Sequence, residues 1–169
     1  MGTLGDSVDV QLARATTEAE LAALRRLYAL YLHDISAYSS HYELDGEARW
    51  QPNYLEDMLP RPECHCLLIR AGGKPAGFAL VTVKPFPHMA ADADVRMAEF
   101  FVAQPYRRHG IGRAAALQAL KSFPGTWTVE ELVGNAAAIA FWRAVIAEAT
   151  GGNYTEHEPA GEIVQRFTV

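Results

Sequence analysis

Residues 99–113, Glu-Phe-Phe-Val-Ala-Gln-Pro-Tyr-Arg-Arg-His-Gly-Ile-Gly-Arg, hold the side chains best suited to chemistry. They read as the end of a strand, a basic turn with glycines, and the start of a helix. Such a turn suits an anion, because the first N–H groups of a helix lack intrahelical partners and the dipole favours negative charge there. Gly110 and Gly112 keep side chains out of the approach. Arg107, Arg108 and Arg113 add donors and charge, although a merely solvated turn would have the same composition. Two phosphate signatures are absent: there is no G-x-x-x-x-G-K-[ST] and no G-x-G-x-x-G after a strand. The spacing is instead Arg-x-x-Gly-x-Gly, from Arg107 through Gly110 to Gly112. Glu99 is a lone acid in the apolar run 97–102, where burial would raise its pKa; an exposed or ion-paired strand residue is the plainer alternative.

Cys64-His65-Cys66 is a second cluster of ligating residue types. In a strand, Cys64 and Cys66 share a face and His65 points away. No second cluster completes a ligand set, so the reading is two buried strand cysteines and no metal.

The elements that position these residues follow from periodicity and punctuation. Residues 8–14 alternate partly and read as a first strand. Thr17 with Glu20 is a capping-box signature, followed by a helix with Leu21, Leu24, Leu27, Tyr28, Tyr31, Leu32 and Ile35 on one side. Residues 34–50 are polar and aromatic without a period, and 52–59 suit a short helix stopped by Pro60 and Pro62. Residues 64–70 read as a strand, Gly72-Gly73 as a turn, and 75–85 as the returning hairpin strand. A loop at 85–94 leads to the strand 97–102. A helix at 110–121 ends at Pro124-Gly125, a strand covers 126–132, and Asn135 caps a helix that ends at Gly151-Gly152. The tail, 153–169, reads as a closing hairpin around Pro159-Ala160-Gly161. Hairpins early and helical crossovers late predict a mixed α/β sheet, with the two strands joined through the helix parallel and right-handed in their crossover.

Length and composition bound the rest. A chain of 169 residues is one domain, read here as spanning 1–169. Half of it is apolar and 21% charged, which excludes extended disorder. A net charge of −5 argues against nucleic acid as a partner. No run is long enough for a membrane span, and residues 1–6 lack the basic start and apolar core of a signal peptide. With only two cysteines, the profile predicts a cytoplasmic protein.

The Arg107-x-x-Gly110-x-Gly112 turn after a strand ending in Val102 resembles the acetyl-coenzyme A signature of the GNAT acetyltransferase superfamily. Asn135-Ala-Ala-Ala138-Ile-Ala-Phe141-Trp142 is similar to the Asn-x-x-Ala-x-x-aromatic helix start that follows the next strand there. The segments 31–36, 97–102, 123–127, 135–143, 151–156 and 164–167 extend the likeness over nearly the whole chain, to a small bacterial subgroup of predicted acetyltransferases.

The resemblance implies a GNAT-like fold, a central mixed sheet whose parallel pair splays after Val102, and transfer of an acetyl group from acetyl-CoA to an amine. Phe101 and Val102 would offer backbone groups to the pantetheine arm, as a peptide adds to a sheet edge. The turn of Arg107, Arg108, His109, Gly110, Ile111, Gly112 and Arg113 would hold the pyrophosphate. Asn135 and Phe141 would line the far wall, with core filling an equal reading for the rings of Phe101 and Phe141. An attacking amine has a pKa of about 10.4 and must shed a proton. Glu99 is the candidate base, and a backbone N–H near Val102 would meet the oxyanion. Many members place a thiolate-protonating Tyr where Trp142 stands; an indole is a donor without that acidity. Tyr154 and Tyr38 are the substitutes, with no choice between them. The acceptor site falls to segment 34–50, where Asp34, Tyr38 and Tyr42, with His41, Glu43 and Trp50, suit a small cationic amine. A protein N-terminus or lysine is the in-class rival acceptor, a non-catalytic acyl-CoA sensor the rival outside the class, and a second copy of the chain a candidate partner.

Overall fold

The structure, a computed structural model, describes residues 8–169. The stretch 1–6, read above as lacking a targeting signal, lies outside the described residues. In chain order the elements are β1 (Val10–Arg14), α1 (Glu18–Ile35), β2 (Glu43–Leu44), β3 (Trp50–Gln51), α2 (Leu55–Met58), β4 (Cys64–Ala71), β5 (Lys74–Val83), β6 (Val95–Val102), a 3-10 turn (Gln104–Tyr106), α3 (Ile111–Ser122), β7 (Thr126–Leu132), α4 (Ala136–Thr150), β8 (Tyr154–His157) and β9 (Glu162–Thr168). Seven strands form one sheet in the order β1-β4-β5-β6-β7-β9-β8, and β2 and β3 form a separate ribbon. β6 and β7, joined through α3, pair in parallel; the other neighbours are antiparallel. The expected mixed α/β sheet is what forms. Among the described residues no helix is long and apolar enough to cross a membrane.

Local chemistry explains the ends of these elements. The Thr17 hydroxyl accepts the Glu20 N–H at 3.2 Å while the Glu20 carboxylate accepts the Thr17 N–H at 3.1 Å, a reciprocal cap for α1. Gly72 and Gly73 both take positive φ, 54° and 78°, as a two-residue hairpin turn requires. The Asn135 side chain accepts the Ala138 N–H at 3.1 Å and starts α4.

The sheet divides the core. On one face α1 packs Leu24, Tyr28 and Leu32 against Cys64, Cys66, Phe78 and Leu80. On the other, α3 and α4 pack Leu120, Trp142 and Ile146 against Val81, Met97, Trp127 and Val129. Cys64 and Cys66 thus share a buried face as free thiols. Segment 34–50 differs from expectation. Asp34 belongs to α1, and Asp45 closes the β2–β3 ribbon by accepting the N–H groups of Glu47 and Arg49 at 2.9 Å each. Strands of two residues are too short to show a period.

One irregularity matters most. Leu80 pairs with Glu99 but Val81 pairs with Met97, so Ala98 is an extra residue in β6. Such a bulge shifts every later side chain to the opposite face. Val95 and Met97 pack toward α3 and α4, whereas Glu99 and Phe101 turn toward α1. The bulge also bends the strand. The ladder between β6 and β7 ends at Met97 and Val129, while β6 runs on to Val102. A wedge therefore opens between the two parallel strands.

Candidate active site

The wall of the wedge is set by main-chain direction. A Cβ on Gly77 would stand 2.1 Å from the Phe101 carbonyl oxygen, so that carbonyl points at β5. The Ala103 N–H also points at β5, donating to the Ala76 carbonyl at 2.8 Å. Alternation then turns the main-chain groups of Phe100 and Val102 into the wedge. Of the pair Phe101 and Val102 expected to present backbone groups, Val102 faces the gap and Phe101 does not. Its ring instead packs edge-on to Tyr31 with centroids 6.1 Å apart, beneath the Arg107 guanidinium.

The turn that follows is shaped by two residues of positive φ, Arg108 at 66° and Gly110 at 76°. Gly110 stands at the N-cap of α3 and Ile111 is buried behind it. A Cβ on Gly112 would lie 3.4 Å from the side chains of both Phe141 and Val102, so helix, strand and α4 come close together at this position. The three arginines differ. Arg107 Nε donates to the Val102 carbonyl at 2.6 Å and its Nη2 to the Asp34 carboxylate. Arg113 Nε donates to Glu148 at 2.7 Å. Arg108 and His109 are exposed, and Arg108 has no ion-pair partner among the described residues. A cavity of about 620 Å³ runs along this wall past Asp34, Tyr38, Val102, Arg107, Arg108 and Phe141.

A second cavity, about 720 Å³, opens on the other side of the wedge. Tyr31, Ile35, Phe100, Asn135, Ala138 and Trp142 border both, so the two meet where β6 and β7 part. Glu99 lines the second cavity. Its Oε1 accepts the Tyr28 hydroxyl at 3.0 Å, and its buried Oε2 has no partner. Burial pushes its pKa up to about 8, against the opposing pull of the Tyr28 hydrogen bond and the Arg96 charge. Arg96 holds Glu130 at 2.6 Å on the same side. Glu131 is likewise pushed up to about 8 by burial, with Gln165 opposing. Burial lifts the Tyr42 phenol to about 12.

The structure brings together Glu99, Tyr42 and the rim residue His41, which meets the Tyr54 hydroxyl at 2.9 Å. It sets Asp34 and Tyr38 apart from them, on the first cavity. Sequence reasoning misses Arg96, Glu130, Tyr54 and the place of Tyr31 in the site. Glu130 and Glu131 carry the signal used for Glu99, acids within a strand, but Tyr31 reads as one more apolar position of a helix face.

A family model, "Acetyltransferase (GNAT) family", matches residues 22–145. Among curated proteins none matches the chain by sequence. Solved structures share the fold. An acetyltransferase from Thermus thermophilus is 16% identical with a TM-score of 0.68, over 96% of this chain and 99% of that one. The ribosomal-protein-S18-alanine N-acetyltransferase from Escherichia coli is 16% identical with a TM-score of 0.59, over 95% and 94%. The PaiA N-acetyltransferase from Thermoplasma acidophilum, in complex with coenzyme A, is 10% identical with a TM-score of 0.60, over 95% and 99%.

Proposed function

Because the chain belongs to the acetyltransferase (GNAT) family, an acetyl-CoA-dependent class, we propose that it moves the acetyl group of acetyl-CoA to the primary amine of a small cationic molecule. The observation that carries this is the meeting of two cavities at the wedge, with a buried carboxylate beside the junction.

The first cavity fits the donor's chemistry. The N–H groups at the start of α3, opened by Gly110 and Gly112 and flanked by Arg108, take a pyrophosphate. Val102 and Phe100 take the pantetheine arm through main-chain hydrogen bonds, with Asn135 and Phe141 opposite. The donor brings an activated thioester. A Phe100 or Val102 N–H, fixed by the bulge, faces the position where an oxyanion develops.

The second cavity fits the acceptor. Asp57, Glu130 and Glu162 line it against Arg61 and Arg96, and Glu99 and Glu131 add negative charge as they ionise near pH 8, a balance that suits a cation. Tyr42 and Tyr54 offer aromatic faces to the same charge. Glu99 takes the proton from the attacking nitrogen. A carboxylate poised near 8 is matched to that transfer at neutral pH, better than one at its ordinary value.

The test is release of thiol from acetyl-CoA against a panel of small amines. Turnover with cationic members supports the reading. Turnover only with protein N-termini or lysines would move the acceptor class and keep the reaction. One observation favours a second reading, a non-catalytic acyl-CoA sensor: Trp142, an indole, borders both cavities at the junction. Coenzyme binding without turnover across the whole panel would select that reading.

A further inference from the structure

We propose that Tyr31 is the proton donor of this reaction, its phenol delivering a proton to the coenzyme sulfur as the carbon–sulfur bond breaks. The proposal rests on the acetyl-transfer reading above. It starts from Trp142, whose indole N–H can donate a hydrogen bond but does not give up its proton near neutral pH. If the leaving sulfur is protonated by the protein, the donor must reach the place where both cavities meet.

The seven tyrosines of the chain separate cleanly on that criterion. Tyr154 and Tyr106 border neither cavity. Tyr38 borders only the coenzyme side, and Tyr42 and Tyr54 only the acceptor side. Tyr28 is buried and its hydroxyl is committed to Glu99. Tyr31 alone borders both. Tyr154 and Tyr38, the substitutes suggested by sequence, are therefore misplaced for the task.

Tyr31 is also held in position. Its ring meets Phe78 edge-on at 5.6 Å and Phe101 at 6.1 Å, and lies 5.7 Å from Tyr28. One turn further along α1, Asp34 binds Arg107, which in turn caps the Val102 carbonyl. That chain of contacts fixes the helix against the strand end where the thioester would lie. The Tyr31 hydroxyl makes no hydrogen bond within the described residues, which leaves it free for one to a ligand.

The proton count closes. The amine lone pair forms the carbon–nitrogen bond and the carbon–sulfur pair leaves on sulfur. Glu99 takes the nitrogen's proton, Tyr31 gives its own to sulfur, and protonated Glu99 restores the phenol. The groups acting on Tyr31 favour this order. Burial and the negative charge of Glu99 hold the phenol's proton tightly, Tyr42 adds to this, and Arg96 opposes it. Once Glu99 is neutral, its contribution to that hold ends, so Tyr31 becomes a better acid at the moment it must donate.

The deciding measurement uses coenzyme A itself, so no acceptor need be known for it. A phenol donating to sulfur lowers the pKa of the bound thiol, read from thiolate ultraviolet absorbance across pH. In Tyr31→Phe, at near-wild-type melting temperature, the bound thiol's pKa should rise by about one pH unit. Coenzyme affinity below that pKa should stay within about threefold, since a neutral thiol needs little from the phenol. With an amine that turns over in the panel above, acetyl-CoA cleavage should fall roughly 10–100-fold, and adding Trp142→Tyr should restore part of it. Tyr154→Phe should change neither. An unchanged thiol pKa in Tyr31→Phe would overturn the proposal while leaving the coenzyme site standing. Failure of the unaltered protein to bind coenzyme A would overturn the acetyl-transfer reading, and this inference with it.

Discussion

The two sides of the wedge are made in opposite ways. On the side proposed for the coenzyme, the wall comes from one short segment and largely from its backbone: the end of β6, the turn at Arg108 and Gly110, and the first N–H groups of α3. Two of its three arginines are held by acids or carbonyls of the protein. On the side proposed for the acceptor the surface comes from α1, the segment after it, α2, the loop before β6, and the two central strands. There side chains make up the proposed site, and the buried Glu99 Oε2 lacks a hydrogen-bond partner. A backbone site is fixed by conformation and tolerates changes of side chain. A side-chain site is fixed by burial and is sensitive to a single atom.

That difference predicts unequal consequences, largest on the acceptor side. Glu99→Gln keeps shape and removes the base, so kcat should fall by roughly 10²–10⁴ with coenzyme affinity intact. Unchanged turnover would take Glu99 out of the mechanism. The same group sets a pH signature. With a folded pKa near 8, kcat/KM should rise through that value as Glu99 ionises. Stability should move the other way. Glu99 binds its proton more tightly folded than unfolded, so its contribution is fully present below about 4.5 and is lost as pH rises through about 8. Glu131 adds in the same direction. A rate profile flat between pH 6 and 9 would contradict the assignment.

The coenzyme side should break through its backbone. At Gly77 a Cβ meets a carbonyl oxygen that cannot step aside, so Gly77→Ala should cost about 1–3 kcal/mol of stability. Displacing Phe101 and Val102 should also weaken coenzyme binding. Arg108→Ala with Gly110→Ala removes the unpaired cation and strains a φ of 76°, and should weaken coenzyme binding roughly tenfold or more. Calorimetry with coenzyme A reads both. Unchanged affinity in the second variant would remove the turn from the pyrophosphate site.

The same contrast explains what is legible in the sequence. The turn from Arg107 to Gly112 announces itself because its determinants are contiguous, and the caps at Thr17 and Asn135 are equally local. The bulge at Ala98 is a property of pairing between two strands, and nothing in either strand alone marks it. Because the bulge decides which way Glu99 and Phe101 face, the isolated acid can be noticed in the sequence but not aimed. Tyr31 is hidden for a related reason. Helical spacing assigns it to the apolar face correctly, but that face extends past the covered core to the wedge. Asp34 reads as the start of the irregular segment even though the helical stripe runs on to Ile35, because neither glycine nor proline marks the end of α1 at Ser36.

Asp34 offers the smallest and most discriminating test. By residue type it suits a cationic acceptor, yet its carboxylate holds Arg107 on the coenzyme side, each side chain about one-third exposed. A pair that exposed is worth at most about 1 kcal/mol, so Asp34→Asn should be mild. Loosening Arg107 frees the Val102 carbonyl and the end of α1, both on the coenzyme wall. The KM for acetyl-CoA should therefore rise roughly two- to fivefold while the KM of the amine stays put. The opposite split, a raised amine KM with the coenzyme unaffected, would move Asp34 across the wedge. It would also show that the acceptor reaches into the cavity assigned to the donor, so that the two sides are not recognised separately.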